Sequence, residues 1–230
     1  AIMPQIDHMI LYDNGSKDAE LIKNSVVTKF NKITYYYSPS NMGIAYGINW
    51  ILKKAKEFDF MWCLTLDQDS VCSKDMIYQY KKYISLPDVA LISPFVLNNN
   101  KITLAEYYRL NLPDVEYVNG PIGCITSGCL TNVNIFLQLH GVNSKLFIDF
   151  VDVELNCKVL NNGYKIIRVN KAYLIQKMGK AKEVPIFKYL YCKTGLNIFQ
   201  KMQIVAVYPN NRLYYSSRNS RYIQKKFKYR

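Results

Sequence analysis

Short apolar runs and helically spaced apolar positions alternate along the chain, and that rhythm predicts most of its elements. Residues 8–12 (His8-Met9-Ile10-Leu11-Tyr12) are apolar with little alternation, which predicts a buried strand running into the turn Asp13-Asn14-Gly15-Ser16. Ala19, Ile22, Val26 and Phe30 recur at helical spacing, so a helix is expected over about 18–30. The β-branched and aromatic run 33–37 predicts a second strand, stopped by Ser38-Pro39-Ser40-Asn41-Met42-Gly43. Ile44, Ile48, Ile51, Leu52 and Ala55 mark a second helix, and 60–66 reads as a third strand. Strand, helix, strand, helix, strand is how a parallel sheet begins.

The pattern continues with a helix over about 74–85 and a strand over 89–93 closed by Pro94. Regularity then fades until Pro121: Asn98-Asn99-Asn100 reads as a hairpin tip and 116–118 as its return or a sheet-edge strand. Strand character returns over 124–131 around Ser127-Gly128, followed by a short helix over 132–139 ended by His140-Gly141. A further helix is expected from near Val151 to Asn162, with Gly163 as its stop, and a strand over 165–169. The class is α/β. Half of the 230 residues are hydrophobic, enough for one sizeable core.

Composition narrows the partners. No apolar run is long enough to span a bilayer, and Ala1-Ile2-Met3-Pro4 lacks the zones of a secretory signal, so a cytosolic-side protein is expected. Six cysteines (Cys63, Cys72, Cys124, Cys129, Cys157, Cys192) contain no Cys-x-x-Cys pair and read as core thiols. The net charge of +13 asks for a polyanionic partner, and the excess is concentrated at the end. Arg212, Arg218, Arg221, Lys225, Lys226, Lys228 and Arg230 occur without an acid, interleaved with Tyr214, Tyr215, Tyr222, Phe227 and Tyr229. Such a tail suits an anionic membrane surface, RNA, or a plainly solvated helix. No Gly-x-Gly-x-x-Gly, Walker loop, His-Glu-x-x-His or Gly-x-Ser-x-Gly occurs, so those enzyme classes are not supported.

Two acidic stretches carry the candidate chemistry. In Leu66-Asp67-Gln68-Asp69-Ser70 an apolar strand ends in two carboxylates one residue apart, where a strand edge meets solvent. A hard divalent cation is held by one or two carboxylates with substrate phosphates completing its shell, although the same residues also suit a solvated turn. In Phe147-Ile148-Asp149-Phe150-Val151-Asp152-Val153-Glu154 the carboxylates sit among residues that ask for burial. Asp152 falls in a helix first turn, where the dipole favours an ionised base; on the residues alone, Asp149 or Asp152 reads first as a helix cap.

Taken in order and spacing, Tyr12-Asp13-Asn14-Gly15-Ser16, Asn41-x-Gly43-x-Ala45-x-x-x-Asn49, Leu66-Asp67-Gln68-Asp69-Ser70, Thr126-Ser127-Gly128 and Phe147-Ile148-Asp149-x-x-Asp152-x-Glu154 resemble family 2 glycosyltransferases of the rhamnosyltransferase type. Arg212-Leu213-Tyr214-Tyr215-x-x-Arg218-Asn219 resembles that subgroup's C-terminal motif. The resemblance implies a GT-A fold, a Rossmann-like nucleotide-binding sheet flanked by helices, with 1–94 as the nucleotide-sugar half and 95–230 as the acceptor and catalytic-base half. By the same resemblance Asp13, Asn14, Asn41, Gly43, Asn49 and Asp67 would bind the donor nucleotide. Asp69, with Asp67 and Gln176, would hold Mg²⁺ or Mn²⁺; Asp152 would be the catalytic base; Asp149, Glu154, Ser127 and Gly128 would meet acceptor or sugar.

Two features depart from the family pattern. A strand usually precedes the Asp-Asn-Gly-Ser turn, and the chain begins too late to hold it: either the sequence is a fragment of a longer protein, or the strand is lost, which would leave the sheet one strand short. Where many relatives carry a metal-binding His, the chain has Leu174-Ile175-Gln176-Lys177-Met178-Gly179, in which Gln176 is the weaker ligand and Lys177 offers charge to the diphosphate. The implied reaction is transfer of rhamnose from dTDP-rhamnose to a lipid-linked or polysaccharide acceptor. A UDP-sugar donor and an inactive nucleotide-binding scaffold are the alternatives. Arg218, Arg221, Lys225 and Lys226 are the candidates for contact with an anionic inner membrane face, and no nucleic-acid partner is expected.

Overall fold

The first strand–helix–strand unit forms where the pattern predicts: β1 (Met9–Asp13), α1 (Ala19–Val27) and β2 (Ile33–Tyr37), with β1 and β2 paired in parallel from Met9 opposite Ile33 to Asp13 opposite Tyr37; β1, expected buried, is half-buried up to Asp13. The structure is a computed structural model that describes residues 2–27, 31–98, 102–176, 181–202, 204–206 and 209–228. Phe30, Asn99, Asn100, Lys177, Met178, Gly179, Tyr229 and Arg230, which figure in the sequence reading, lie outside them. Next comes α2 (Ile44–Glu57), which buries Ala45, Gly47, Ile48, Leu52 and Ala55 along one face. It leads to β3 (Trp62–Thr65), β4 (Ser70–Cys72), α3 (Met76–Lys81), β5 (Val89–Asn98), α4 (Leu104–Arg109), β6 (Val115–Tyr117), β7 (Cys129–Asn132) and α5 (Val133–Gln138). The remainder is α6 (Val151–Asn161), β8 (Lys165–Gln176), β9 (Ala181–Glu183), α7 (Pro185–Thr194), α8 (Asn197–Met202), β10 (Ile204–Ala206) and α9 (Asn210–Phe227).

The sheet is not the continuous parallel one expected. Among the described residues β1 and β2 stand apart, β9 and β10 form an antiparallel pair, and a mixed six-stranded sheet runs β3-β7-β5-β8-β4 with β6 also on β8. β5 and β8 are parallel; β7 is antiparallel to both β3 and β5. The break falls between β1 and β3. Both pack under α2, and His8 keeps its ring 5.2 Å from Phe58. Pro94 does not close β5: the strand continues to Asn98 through a register shift between Pro94 and Phe95, which accommodates a residue with no N–H to give. β8 likewise outruns its expected end, because Ala172 and Leu174 are buried.

The main sheet separates two apolar clusters. On one side Leu91 and Ile166 pack with Leu52 of α2, Phe136 of α5 and Val151, Leu155 and Val159 of α6. On the other Ile92, Ile167 and Leu174 pack with Met76 and Tyr80 of α3. Successive residues of β5 and β8 thus face opposite layers, as strands covered on both faces require. All six thiols are free; five are buried or half-buried and Cys192 is exposed.

Candidate active site

The first candidate turn is built around Asp13. Buried at the end of β1, its carboxylate accepts hydrogen bonds from the Tyr35 hydroxyl at 2.6 Å and the Ser16 N–H at 2.8 Å. Burial pushes its pKa up, but the bonds from Tyr35, Ser16 and Gly15 outweigh it and leave the group below the ordinary value. Asn14 Oδ1 accepts from the Met42 N–H at 2.8 Å, and Asn41 Oδ1 from the Gly43 N–H at 2.9 Å, which fastens the turn to the 38–43 loop. Asn49 spends its amide on Val142, giving a hydrogen bond to the carbonyl at 2.7 Å and accepting from the N–H at 2.9 Å. It anchors α2 to the 142–144 segment.

Gly43 opens α2 with φ +84, and a β-carbon there would lie 2.6 Å from Phe147 O. Gly43→Ala combines a left-handed backbone with overpacking. It should cost about 2–4 kcal/mol in urea denaturation; an unchanged midpoint would contradict this packing.

The Asp67-Gln68-Asp69 turn rests on the 126–128 segment. Ser127 Oγ accepts from the Asp67 N–H at 3.0 Å and lies 2.9 Å from Ser70 Oγ, while the Gly128 N–H donates to Thr65 O at 2.8 Å. Ser127 is 2% exposed, and Gly128 (φ +75) gives its carbonyl to the Tyr80 hydroxyl at 2.8 Å. Both residues, expected at sugar or acceptor, are therefore consumed in supporting the turn. Asp67 and Asp69 are exposed above it. The protein bulk behind Asp67, then the charge of Asp69, pushes the Asp67 pKa up. Two such carboxylates are relieved by a cation.

Gln176 Nε2 donates to Asp67 Oδ2 at 3.3 Å, so the end of β8 does reach the acidic turn, through the pairing of Ser70 with Gln176. Among the described residues no three His, Cys, Asp or Glu side chains gather as a ready-made metal cage. Two carboxylates completed by a substrate diphosphate are the arrangement that Mg²⁺ commonly uses, and the residues present fit it.

Asp152 stands in the first turn of α6, as expected, with Gly163 (φ +79) just beyond the helix end. Neither Asp149 nor Asp152 caps the helix; the N-cap is Phe150, in the left-handed region. Asp152 Oδ1 accepts from the Val153 N–H at 2.9 Å. The direction of its pKa reverses the dipole argument: burial, and then the charges of Asp149 and Asp67, raise it against the backbone N–H groups. The two acidic sites therefore lie within electrostatic reach of one another. The preceding strap is strained, since Phe147, Asp149 and Phe150 have φ of 62, 63 and 62, and such residues cost about 1–3 kcal/mol each.

The other acids of this stretch face the protein. Asp149 is held by Arg212, whose Nε and Nη2 lie 3.1 and 2.9 Å from Oδ1. Glu154, expected at the acceptor, is 0% exposed. It accepts from the Asn143 N–H at 2.6 Å, the Tyr222 hydroxyl at 3.0 Å and Lys226 at 3.1 Å, with Lys158 at 3.8 Å. That is a buried ionic joint between α6 and α9. Arg218 and Lys226, read from sequence as outward-facing cations, are likewise engaged internally. A basic tail without acids signals charge, and nothing local in it reveals that its partners lie some 70 residues away.

The glycosyl transferase family 2 model matches residues 3–126. No curated protein matched the sequence. Among solved structures, GalNAc-T7 with UDP, GalNAc and Mn²⁺ superposes with a TM-score of 0.59 at 11% identity, over 75% of this chain and 38% of that one. S. aureus TarS 1–349 with UDP gives 0.56 at 14% identity, over 75% and 51%, and the same protein with UDP-GlcNAc 0.53 at 14%, over 75% and 50%. The chain thus spans about half or less of these structures' lengths. A family match over more than half of the chain, together with the helix-flanked sheet and these neighbours, means that the protein belongs to glycosyl transferase family 2, on a GT-A fold.

Proposed function

We propose that the chain is an inverting glycosyltransferase whose donor is held by the 13–16 turn, the 41–43 loop and Asp67, and whose catalytic base is Asp152. The observation that carries this reading is the placement of a half-buried Asp152 within electrostatic reach of the exposed Asp67-x-Asp69 turn. Asp69 and Asp67 would hold Mg²⁺ or Mn²⁺, which when bound neutralises charge on the departing diphosphate. The acceptor hydroxyl forms its bond to the anomeric carbon as its proton passes to the Asp152 carboxylate. The bond from that carbon to the diphosphate breaks, and the electron pair leaves with the nucleotide. One displacement inverts the anomeric centre. In this reading 1–94 serve the donor and 95–230 the acceptor and the base.

The donor proposed from the motif set is dTDP-rhamnose, and the acceptor a lipid-linked or polysaccharide chain. A UDP-sugar is the second reading, favoured by the UDP in the GalNAc-T7 and TarS structures. Competition settles it: excess dTDP should inhibit transfer from labelled donor more strongly than UDP, and the reverse order would move the assignment to UDP-sugars. Nucleotide binding without turnover by the full chain, whatever acceptor is offered, would favour a scaffold.

No helix among the described residues is long and apolar enough to cross a membrane. Arg221 and Lys225 are exposed on α9 and enter none of the ion pairs among the described residues, which leaves them for an anionic surface. Sedimentation with vesicles should rise with anionic lipid and fall on Arg221→Glu/Lys225→Glu substitution. Binding indifferent to lipid charge would sink this contact.

A further inference from the structure

The strap from Phe147 to Phe150 holds three left-handed residues that are not glycine, so its shape is imposed by what grips it. The grip comes from α9. Asn219, 0% exposed, has its Nδ2 at 2.8, 2.8 and 2.9 Å from the carbonyl oxygens of Leu146, Ile148 and Asp149. Arg218 orients that amide by donating to Asn219 Oδ1 from Nε at 3.0 Å and from Nη2 at 2.8 Å, and also donates to Lys145 O and Leu146 O. Arg212 forks onto the Asp149 carboxylate, and the Tyr215 ring stacks on Phe147 at 4.7 Å. Arg212, Tyr215, Asn219, Tyr222 and Lys226 recur every three or four residues, so one stripe of the helix serves the strap and Glu154. From the opposite side the Ile44 N–H donates to Phe147 O at 2.6 Å, tying the strap to the start of α2 and hence to the donor loop.

We propose that Asn219, oriented by Arg218, is the positioning residue of the transfer reaction: it fixes the strap that sets Asp152 at the head of α6. Of the three carbonyl oxygens it gathers, that of Leu146 also accepts from the Ile148 N–H at 2.7 Å. Among the described residues Asn219 makes no hydrogen bond to Asp152 or to the acidic turn, so it would act through the strap. The inference rests on Asp152 being the base.

The test compares the full chain with Asn219→Asp, an isostere with no N–H to give, and with Arg218→Lys, which keeps charge but loses the fork. Gln224→Ala, on the exposed side of α9, is the control. Turnover, nucleotide-diphosphate affinity and amide hydrogen exchange are measured on each. Asn219→Asp should lower kcat about 10²-fold with nucleotide affinity nearly unchanged. Exchange should rise at 146–153 while β5 and β8 stay protected, with Arg218→Lys between it and wild type. A folded Asn219→Asp with wild-type kcat, or with wild-type exchange in the strap, overturns the proposal. So does a loss of kcat matched by weaker nucleotide binding and by raised exchange across β5 and β8, which is a merely structural role. Should Asn219→Asp fail to fold, Arg218→Lys decides on the same criteria. If the wild-type chain shows no transfer, or Asp152→Asn retains it, the base assignment fails; the exchange arm still decides whether Asn219 holds the strap.

Discussion

Replacing Asp152 by Asn is expected to lower turnover by about 10²–10⁴-fold, the usual worth of a positioned general base, while leaving nucleotide affinity nearly intact. The amide keeps the shape of the carboxylate and can still accept from the Val153 N–H, so the loss falls on proton removal. The acid limb of the wild-type pH–rate profile should have an apparent pKa above the ordinary aspartate range, since burial and the charges of Asp149 and Asp67 raise Asp152. Stability runs the other way. With the folded pKa above the unfolded one, the group's contribution is fully present below about pH 3.9 and is lost as pH rises through the raised value. Asp152→Asn should therefore be more stable than wild type at neutral pH, and this advantage should vanish in acid. A variant that is both inactive and less stable at pH 7 would point to a structural carboxylate.

The second large effect is expected at Asp69. Asp69→Asn should cost about 10²–10³-fold in turnover, the scale of removing one charge-stabilising partner from a reaction's developing anion. Unlike the change at Asp152, it should also weaken nucleotide-diphosphate binding in the presence of metal and leave binding in chelator as it was. Asp69 suits this role because its carboxylate is exposed and engaged in none of the hydrogen bonds or ion pairs among the described residues, whereas Asp67 is already tied to Gln176. Wild-type metal dependence in Asp69→Asn would move the cation elsewhere.

What could be read from the sequence follows how local each cause is. The elements of the first 66 residues and the helix carrying Asp152 were legible because their apolar spacing and end residues state them directly. The Thr103-x-x-Glu106 capping box of α4 is stated just as locally, and both of its reciprocal bonds form. Strand partners were not legible: β7 enters antiparallel beside β3, and nothing within 129–132 announces direction or neighbour. The same limit governs the site. Asp13, Asp67, Asp69 and Asp152 are conspicuous as acids at the ends of apolar runs. Ser127, Gly128, Asn49 and Glu154 stand equally close to those motifs, yet the structure commits them to holding backbone or burying charge. Arg218 and Asn219 stand out in the sequence as the end of a family-like motif in a basic tail, but their use is not legible there, since it depends on a strap some 70 residues earlier that adopts a shape its own sequence does not favour.

The most direct measurement is a thermal-shift titration of the chain with dTDP and with UDP, each in Mn²⁺, in Mg²⁺ and in chelator. At ~100 times its dissociation constant a ligand adds about 2.7 kcal/mol to folding, so modest affinity is visible. A metal-dependent donor site predicts stabilisation by a nucleoside diphosphate that needs the cation and disappears in Asp69→Asn. No shift with either nucleotide, or the same shift in chelator as in metal, would contradict it.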